Sequence, residues 1–436
     1  MSVGRTRLLS PLKGTSLPVD QTGLVIGGGL SGMTAALSLA DQGFPTTLVE
    51  KEEALGGHLS DIHYTLEHDS TSAMRTAIIE RVTTHPNIDL RLQAEVSAVA
   101  GHIGHFTVTL NGATGKSEVS CGAIIVATGG NQAQTSEYLY GQSDRVLTQV
   151  DLEQRLHDKS FTAAGKTIVM IQCVGSRDET HAYCSRLCCS VAVKNALAIK
   201  KQNPDAKVYV LYRDVRTYGF RELYYKQARE AGVLFLRYDR EKPPQVTDGQ
   251  PLSVTLDSPD LPESLSIEAD NVILSTGIEA PAENKELSDM LKVPLNADGF
   301  YVEAHLKLRP VDFATEGIFL CGLAHSPKCI DENISQARAA AARAATVLSK
   351  THLDVSAQVS QVDQTKCISC MTCVHVCPYN APFMNNDHKG QIEAAKCMGC
   401  GICASECPAC AIQLNHGQNQ QFAAMIDELF STEMAQ

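Results

Sequence analysis

Eight cysteines near the end of the sequence have the residue type and the spacing that hold iron–sulfur clusters. They form two runs of C-x-x-C-x-x-C-x-x-x-C, each closed by a proline: Cys367, Cys370, Cys373 and Cys377, then Cys397, Cys400, Cys403 and Cys407. In the bacterial two-cluster form of this run, the fourth cysteine of each run ligates the other cluster. The spacing therefore predicts two 4Fe–4S clusters, with Cys407 completing the first set and Cys377 the second. Structural zinc sites use two C-x-x-C pairs per metal, which fits this spacing poorly.

A glycine turn near the start of the sequence predicts a dinucleotide site. An apolar strand from residue 23 runs into Gly27-x-Gly29-x-x-Gly32, and a helix-forming segment at 33–42 follows. A second strand at 46–49 ends at Glu50. We expect Gly27 to permit the tight turn, Gly29 to admit the pyrophosphate and Gly32 to let the helix pack on the strand. Glu50 would then accept hydrogen bonds from the ribose hydroxyls.

The residues around this fingerprint resemble those of the two-dinucleotide-binding-domain flavoproteins, the thioredoxin reductase-like group. The shared features are a second glycine pair soon after Glu50, an Ala-Thr-Gly turn and a late Glu-Gly-x-x-x-Cys-Gly motif at 316–322. The resemblance implies FAD rather than NAD. Besides the fingerprint residues, it implies these positions as FAD-binding: Lys51, Gly57, His58, Val96, Ala127, Thr128, Gly129, Gly322, Lys328 and Gln336. An ordinary solvated lysine is an equally good interpretation of Lys328, and a structural role remains open for His58.

The middle of the chain has four cysteines where a second dinucleotide fingerprint is expected. A β-type run at 166–172 leads into Cys173-Val174-Gly175, which lacks the three glycines that NAD(P)H binding needs. The cysteines are Cys173, Cys184, Cys188 and Cys189. We expect a third 4Fe–4S cluster of unconventional spacing here, in place of NAD(P)H. Buried small thiols are one alternative, and a redox-active Cys188–Cys189 pair is another.

Three further segments identify the chain as resembling the A-type subunits of heterodisulfide reductase. They are the stretches at 173–189, 212–219 and 322–337. Relatives include flavoproteins of the quinone-interacting oxidoreductase complex. The resemblance implies an electron-relaying oxidoreductase whose partners resemble the B and C subunits of heterodisulfide reductase, or a quinone-linked membrane subunit. Methanogen members carry an extra domain before the FAD fingerprint and a ferredoxin insert, which are not seen here; electron bifurcation is therefore in doubt.

These features predict an α/β fold: a thioredoxin reductase-like flavoprotein followed by a two-cluster ferredoxin domain. The expected boundaries are an N-terminal tail at 1–21, FAD-binding parts at 22–155 and 271–352, an inserted NAD(P)H-domain-like segment at 156–270, the ferredoxin domain at 358–415 and an amphipathic helix at 416–436. The region at about 241–266 reads as a Pro-, Asp- and Ser-rich connection. The final helix is expected either to cap the ferredoxin domain or to dock onto another protein chain.

Composition and charge limit the possible partners, location and function of the protein. A formal charge of −12 argues against nucleic acid as a partner. The first eighteen residues lack an apolar signal segment, and no apolar run is long enough to span a membrane, so a cytoplasmic location is expected. No residue stands out as a nucleophile or an acid–base pair. A stand-alone NAD(P)H-dependent FAD and iron–sulfur oxidoreductase, resembling glutamate synthase small subunits, is the rival function.

Overall fold

The computed structural model describes residues 2–12, 14–113 and 115–433. The first part of the chain contains α1 (Ser2–Arg7), β1 (Thr15–Pro18), β2 (Gly23–Ile26), α2 (Leu30–Ala40), β3 (Thr46–Val49), α3 (Thr71–Thr84), β4 (Ile88–Arg91), β5 (Ala94–His102), β6 (His105–Gly112), β7 (Gly115–Cys121), β8 (Ala123–Val126) and β9 (Asn131–Gln132). Strands β2, β3 and β8 are buried at every position. Such continuous apolar strands are typical of a parallel sheet covered on both faces.

The inserted middle part repeats this alternation of strands and helices. Its elements are β10 (Val146–Thr148), α4 (Gln149–His157), β11 (Thr167–Val174), α5 (Cys188–Gln202), β12 (Lys207–Tyr212), α6 (Glu222–Glu230), β13 (Leu234–Arg237), β14 (Gln245–Thr247), β15 (Leu252–Leu256), β16 (Leu265–Ala269) and β17 (Asn271–Thr276). The chain then returns to the first part through β18 (Ile278–Glu279), α7 (Asn284–Leu291), β19 (Ile318–Leu320), α8 (Ile330–Leu348) and β20 (His352–Val355).

The last part is small and made of short elements. They are β21 (Ser360–Val362), α9 (Thr372–Val376), β22 (Pro382–Met384), β23 (Gly390–Ile392), α10 (Ile402–Ser405), β24 (Ile412–Leu414) and α11 (Asn419–Glu433). Strand β21 pairs with β24 and β22 pairs with β23, both antiparallel. A short helix, α9 or α10, starts within each cysteine run.

Two parallel sheets organise the first 350 residues. The first has the order β19-β8-β2-β3-β4, and the second has the order β10-β17-β11-β12-β13. In the first sheet, α2 and α8 pack on one face and the antiparallel sheet β5-β6-β7 packs on the other. Fully buried side chains such as Leu24 and Ile124 each stabilise this core by about 2 kcal/mol. The carboxyl ends of β2, β3 and β8 therefore meet at one edge, where ligands bind in such sheets.

The region at 241–266, which the sequence indicated as a connection, contains strands. Strands β14, β15 and β16 form an antiparallel sheet that covers one face of the second parallel sheet. Leu252, Val254 and Leu256 alternate along β15 and are fully buried. This period of two is the signal of a half-buried strand, and the polar turns on either side of it obscure the pattern.

Helix α1 pairs with the final helix, α11, although the first residues are expected to form a tail. A Cβ atom on Gly4 would lie 2.6 Å from the Ala424 carbonyl oxygen, so the two helices approach closely. The Arg5 guanidinium donates to the His416 carbonyl, and the Gln421 side chain donates to the Leu8 carbonyl at 3.2 Å. Among the described residues, no helix has the length and hydropathy that a membrane crossing requires.

Candidate functional site

The fingerprint glycines lie between β2 and α2, and each meets a different environment. Gly27 has φ +110°, and a Cβ atom there would lie 2.3 Å from the Ala127 carbonyl oxygen. A Cβ atom on Gly32 would lie 1.7 Å from the Gly27 carbonyl oxygen. Gly29, in contrast, has no atom within 4 Å of its Cβ position. Packing therefore requires glycine at two of the positions, and the third faces space that a ligand can enter.

The start of α2 fits a phosphate group. Gly29 is the N-cap residue of this 11-residue helix, and no side chain caps its free N–H groups. No acidic side chain lies in its first turn. Free N–H donors at a helix start, together with the helix dipole, bind phosphate. The helix begins three residues earlier than the sequence indicated, because Gly32 packs inside the helix instead of breaking it.

Glu50 stands at the end of β3, next to the glycine turn. Its carboxylate is buried and accepts from the Gly28 N–H at 2.5 Å and from the Glu52 N–H at 2.9 Å. A carboxylate has about four acceptor sites, so capacity remains for ribose hydroxyls. Lys51 points away, with its ammonium 3.7 Å from Glu283 and its side chain 48% exposed.

Gly57 and His58 bring a second segment onto the glycine turn. A Cβ atom on Gly57 would lie 3.3 Å from the Gly29 Cα atom. The His58 Nε2 atom hydrogen-bonds the Gly130 carbonyl oxygen, and its Nδ1 atom lies 3.5 Å from the Asp61 carboxylate. The hydrogen bond with Asp61 is the main cause that raises the pKa of His58.

The Ala-Thr-Gly turn completes the same edge of the sheet. The Ala127 N–H donates to the Ile26 carbonyl at 2.8 Å, which joins the turn to the end of β2. The Thr128 hydroxyl donates to the Asn284 side-chain oxygen at 2.9 Å. Gly129 has φ +80° and open space at its Cβ position. Val96 lies in β5, two residues after Ala94, whose N–H donates to the Glu50 carbonyl at 3.0 Å.

Lys328 is a buried lysine, so its interpretation as an ordinary solvated lysine is wrong. Its ammonium donates to the Gly322 carbonyl at 2.5 Å and to the Ser326 carbonyl at 2.7 Å, and 7% of the residue is exposed. Burial lowers the pKa of Lys328 to about 8. Both acceptors are neutral, so their hydrogen bonds offset only part of the cost of burying this cation.

A hydrogen-bonded chain that the sequence did not reveal leads to the same motif. The Gly322 N–H donates to Gln336 Oε1, Gln336 Nε2 contacts His325 Nδ1, and His325 Nε2 contacts a Glu303 carboxylate oxygen, each at 2.9 Å. Burial is the main cause that lowers the pKa of His325. Glu303 and His325 lie 22 residues apart in loops, so no sequence period connects them.

The four middle-domain cysteines meet at one pocket. Cys173, Cys184, Cys188 and Cys189 line it, and Arg177, Arg186 and Arg216 lie at its walls. Cys188 and Cys189 are the first residues of α5. The pocket therefore lies at the helix start where a second dinucleotide fingerprint would hold pyrophosphate. No two cysteines form a disulfide within the described part of the chain.

Burial and local charge act against each other at these thiols. Burial is the main cause that raises the pKa of Cys173, Cys188 and Cys189, the last to about 11. The Arg177 guanidinium lies 3.8 Å from the Cys173 sulfur and acts in the opposite direction. As free thiols these groups are neutral at pH 7, and a metal would displace their protons. Four such thiols around one pocket fit a cluster better than a packing role.

Arg186 ties this pocket to the candidate flavin pocket. It belongs to the cysteine loop and has φ +60°. Its guanidinium donates to Glu332 on α8 at 2.7 Å and to the Tyr218 hydroxyl at 2.5 Å. Burial lowers the pKa of Lys328, and the positive charge of Arg186 lowers it further.

The ferredoxin-type cysteines separate into two groups in space. The first group, Cys367, Cys370, Cys373 and Cys407, lines a pocket in the ferredoxin domain. In the second group, burial raises the pKa of Cys403, and the nearby Cys397, Cys377 and Cys400 raise it further. Each group thus combines three cysteines of one run with the fourth of the other. No three His, Cys, Asp or Glu side chains converge on a single ion anywhere in the described ranges, whereas a cubane spreads its four ligands over four irons.

Four further cysteines lie outside these groups, and the first of them, Cys121, is buried at the end of β7. Cys321 is fully buried in the flavoprotein core, and burial raises its pKa to about 12. Cys329 is the N-cap residue of α8, and burial raises its pKa to about 11. Cys410 is exposed, with φ +47°.

Comparisons with known proteins assign this architecture. Residues 22–344 match the family described as pyridine nucleotide-disulphide oxidoreductase, and residues 360–408 match the 4Fe-4S dicluster domain. The chain is 33% identical to the second A-type iron-sulfur subunit of CoB--CoM heterodisulfide reductase from Methanopyrus kandleri, over 87% of this chain and 72% of that one. It is 31% identical to the A-type subunit of H(2):CoB-CoM heterodisulfide,ferredoxin reductase from Methanothermobacter thermautotrophicus, over 89% of this chain and 73% of that one.

Solved structures support the fold of the flavoprotein part. Lactococcus lactis thioredoxin reductase superposes with a TM-score of 0.53 and 18% identity, over 75% of this chain and 99% of that one. The thioredoxin reductase of T. acidophilum gives a TM-score of 0.51 and 16% identity, over 76% and 98% of the two chains. The predicted fold class is thereby confirmed, and so is the resemblance that the cysteine stretches carried. The chain belongs to the family of heterodisulfide reductase A-type subunits, and it is an oxidoreductase that joins an FAD-binding domain to an iron–sulfur domain.

Proposed function

We propose that this chain relays electrons between one FAD and three 4Fe–4S clusters and exchanges them with partner subunits of a heterodisulfide reductase-like complex. The observation that carries this proposal is the pocket lined by Cys173, Cys184, Cys188 and Cys189 at the start of α5. These cysteines would act as metal ligands where a nicotinamide nucleotide would otherwise bind. Electrons would then reach the flavin through clusters and not from NAD(P)H.

The residues around the glycine turn fit FAD. The uncapped start of α2 and the open space at Gly29 would receive the pyrophosphate, and Glu50 would receive a ribose. Thr128 lies just after β8, and Lys328 and Gln336 hydrogen-bond the carbonyl and the N–H of Gly322 in the second FAD motif. Bound FAD would accept two electrons together and release them singly, which suits one-electron clusters. Lys328 would provide a positive charge near the flavin, since its ammonium is fixed on the Gly322 carbonyl.

Arg186 would hold the third cluster pocket at a fixed position relative to the flavin pocket. Its guanidinium bridges the cysteine loop to Glu332, in the first turn of α8. The Ser185 hydroxyl accepts from the Ile278 N–H at 2.8 Å, which fixes the same loop against β18. These two contacts would keep the electron path rigid.

The ferredoxin domain would hold the other two clusters. One set is Cys367, Cys370, Cys373 and Cys407, and the other is Cys397, Cys400, Cys403 and Cys377. The partners would be disulfide- or sulfur-acting proteins, like the B and C subunits of heterodisulfide reductase, or a quinone-linked membrane subunit. The chain itself would be cytoplasmic. Its formal charge of −12 would oppose binding to nucleic acid.

Iron content tests the number of clusters. Anaerobically prepared wild-type chain is expected to contain about twelve iron atoms, four for each cubane. Cys184→Ser is expected to reduce this to about eight and to leave the ferredoxin signals unchanged. Cys410→Ser, which removes an exposed cysteine outside the three groups, is the matched control and is expected to keep all twelve. Eight iron atoms in the wild-type chain would contradict the third cluster.

Nicotinamide addition separates this function from the rival one. The family match over residues 22–344 includes pyridine nucleotide enzymes, so a stand-alone NAD(P)H-dependent oxidoreductase is the second candidate. We expect NADH and NADPH to leave the flavin absorbance of the FAD-loaded chain unchanged under anaerobic conditions, and dithionite to bleach it. Stoichiometric bleaching by either nucleotide within seconds would favour the rival function.

A further inference from the structure

The two cysteine runs are internal repeats, so differences at matched positions distinguish the two cluster sites. Each cysteine of the first run has a partner 30 positions later, as Cys367 and Cys397 show. The backbone repeats as well, because positive φ angles recur at Ser369 and Gly399, and again at Met371 and Gly401. A residue present at one site and absent at the other therefore affects one cluster more than the other.

A lysine is the largest of these differences. The Lys389 ammonium donates to the carbonyl oxygen of the ligand Cys367 at 2.6 Å, and the lysine side chain is half-buried. The matched residue at the other site is Val359, which is 9% exposed and uncharged. The structure supports this match, because the residue after each of the two donates its N–H to a ligand sulfur. Gly390, after Lys389, donates to Cys367, and Ser360, after Val359, donates to Cys397.

Further donors favour the same site. Thr372 lies two residues after the ligand Cys370 and carries a hydroxyl, whereas the matched residue, Ile402, has none. The Ala411 N–H donates to the Cys407 sulfur at 3.3 Å. Hydrogen bonds and positive charge next to a cluster favour its reduced, more negative state and raise its reduction potential.

Ser360 acts in the opposite direction, on the other site. Its hydroxyl oxygen is buried without a hydrogen-bond partner among the described residues, and its N–H donates to the Cys397 sulfur at 3.5 Å. The matched residue, Gly390, offers no hydroxyl. The effect of a hydroxyl is that of a dipole, which declines faster with distance than the effect of a full charge such as the Lys389 ammonium. We therefore expect Lys389 to dominate.

We propose that Lys389 gives the cluster site of Cys367, Cys370, Cys373 and Cys407 the higher reduction potential of the two ferredoxin sites and so directs single electrons to it. This inference rests on the proposed function, which places one cluster in each group. One electron would leave the cluster at the Cys397 site, oxidising it, and reduce the cluster at the Cys367 site. No proton and no bond change accompanies this step.

The test is a redox titration of the intact, cluster-loaded chain, followed by electron paramagnetic resonance. Lys389→Met is expected to lower one midpoint so that the electron distribution between the two sites changes about tenfold, which is about 59 mV for a one-electron couple. Lys389→Arg keeps the charge and is expected to keep the wild-type midpoint. Lys366→Met is the matched control, because Lys366 precedes a ligand cysteine but is 59% exposed and paired with Asp363 at 3.2 Å. Its effect is expected to be small.

A second variant identifies which site responds. Ser360→Ala is expected to lower the other midpoint, because Ser360 lies at the Cys397 site. The inference is overturned if Lys389→Met leaves both midpoints unchanged, or if the two variants lower the same one. A chain that holds fewer than two ferredoxin clusters would overturn the proposed function and the inference together. Two clusters of equal potential that do not respond to Lys389 would overturn the inference alone.

Discussion

A buried lysine held by backbone carbonyl oxygens is the main residue-scale feature of the candidate flavin pocket. Lys328 keeps its ammonium on two carbonyl oxygens and has a pKa of about 8. The sequence identified Lys328 as a candidate through a resemblance but could not establish its burial. Burial depends on how the loop after β19 folds back onto α8, and no local pattern encodes this.

The depressed pKa of Lys328 predicts a pH dependence of stability. In the unfolded chain its pKa returns to about 10.4, so between pH 8 and 10.4 the unfolded chain binds more protons than the folded chain. The penalty for burying the charge is complete below pH 8 and fades as the pH rises. Because the lysine is half-titrated at each end of this interval, the unfolding free energy of the wild type should rise by about 2.5 kcal/mol relative to Lys328→Met across it.

Urea denaturation of both proteins at pH 8 and pH 10.4 measures this difference. Comparing the two proteins cancels the titration of the cysteines and tyrosines, which both share. Lys285→Met, a change at an exposed lysine of α7, provides the control and should show no such difference. Parallel stability curves for wild type and Lys328→Met would show that Lys328 does not titrate in this range.

At the scale of elements, a buried ion pair holds the cysteine-bearing helix in place. Lys194 on α5 contacts Glu153 on α4 at 2.7 Å, and both side chains are less than 10% exposed, at 7% and 3%. Glu153 also accepts from the His63 N–H at 2.8 Å, and Lys194 donates to the Tyr64 carbonyl at 2.9 Å. The pair therefore connects the FAD-binding part to the inserted part, and α5 carries two of the proposed cluster ligands.

Breaking this pair is expected to destabilise the chain strongly. Lys194→Met would leave the Glu153 carboxylate buried without a counter-charge, which costs about 3–5 kcal/mol. The double variant Lys194→Met, Glu153→Leu removes both charges and should recover most of the loss, since an apolar pair of similar volume often replaces a buried ion pair well. The midpoint of urea unfolding measures both effects. A double variant no more stable than the single one would disprove this assignment.

Sequence patterns predicted some elements well and others poorly, for physical reasons. The strand predicted at 46–49 has these bounds in the structure, because a strand buried on both faces is a continuous apolar run. The start of helix α8 at Ile330 could not be predicted, because its N-cap residue is Cys329, and cysteine is not among the residues that usually begin a helix. The cysteine pocket was predicted as a group, but the Arg186 bridge to Glu332 was not, since its partners lie 146 residues apart.

For the molecule as a whole, the pairing of α1 with α11 changes the expected role of the final helix. The sequence left a choice between capping the ferredoxin domain and docking onto another protein chain. Helix α11 packs on α1, and Phe422, Ile426 and Phe430 remain 50%, 54% and 59% exposed. Three exposed apolar side chains on one helix favour docking, because such patches mark interaction surfaces.

Ile426→Asp tests this docking role in the complete chain. We expect the variant to keep its full iron and flavin content, because Ile426 contributes no ligand, and to lose co-purification with its partner subunits by at least tenfold. That loss corresponds to about 1.4 kcal/mol, less than the burial of one isoleucine provides. Gln420→Asp adds the same charge to an exposed polar position of α11 and should bind partners normally. If Ile426→Asp instead lost ferredoxin iron while Gln420→Asp kept it, α11 would be a cap on that domain, and the docking surface would lie elsewhere.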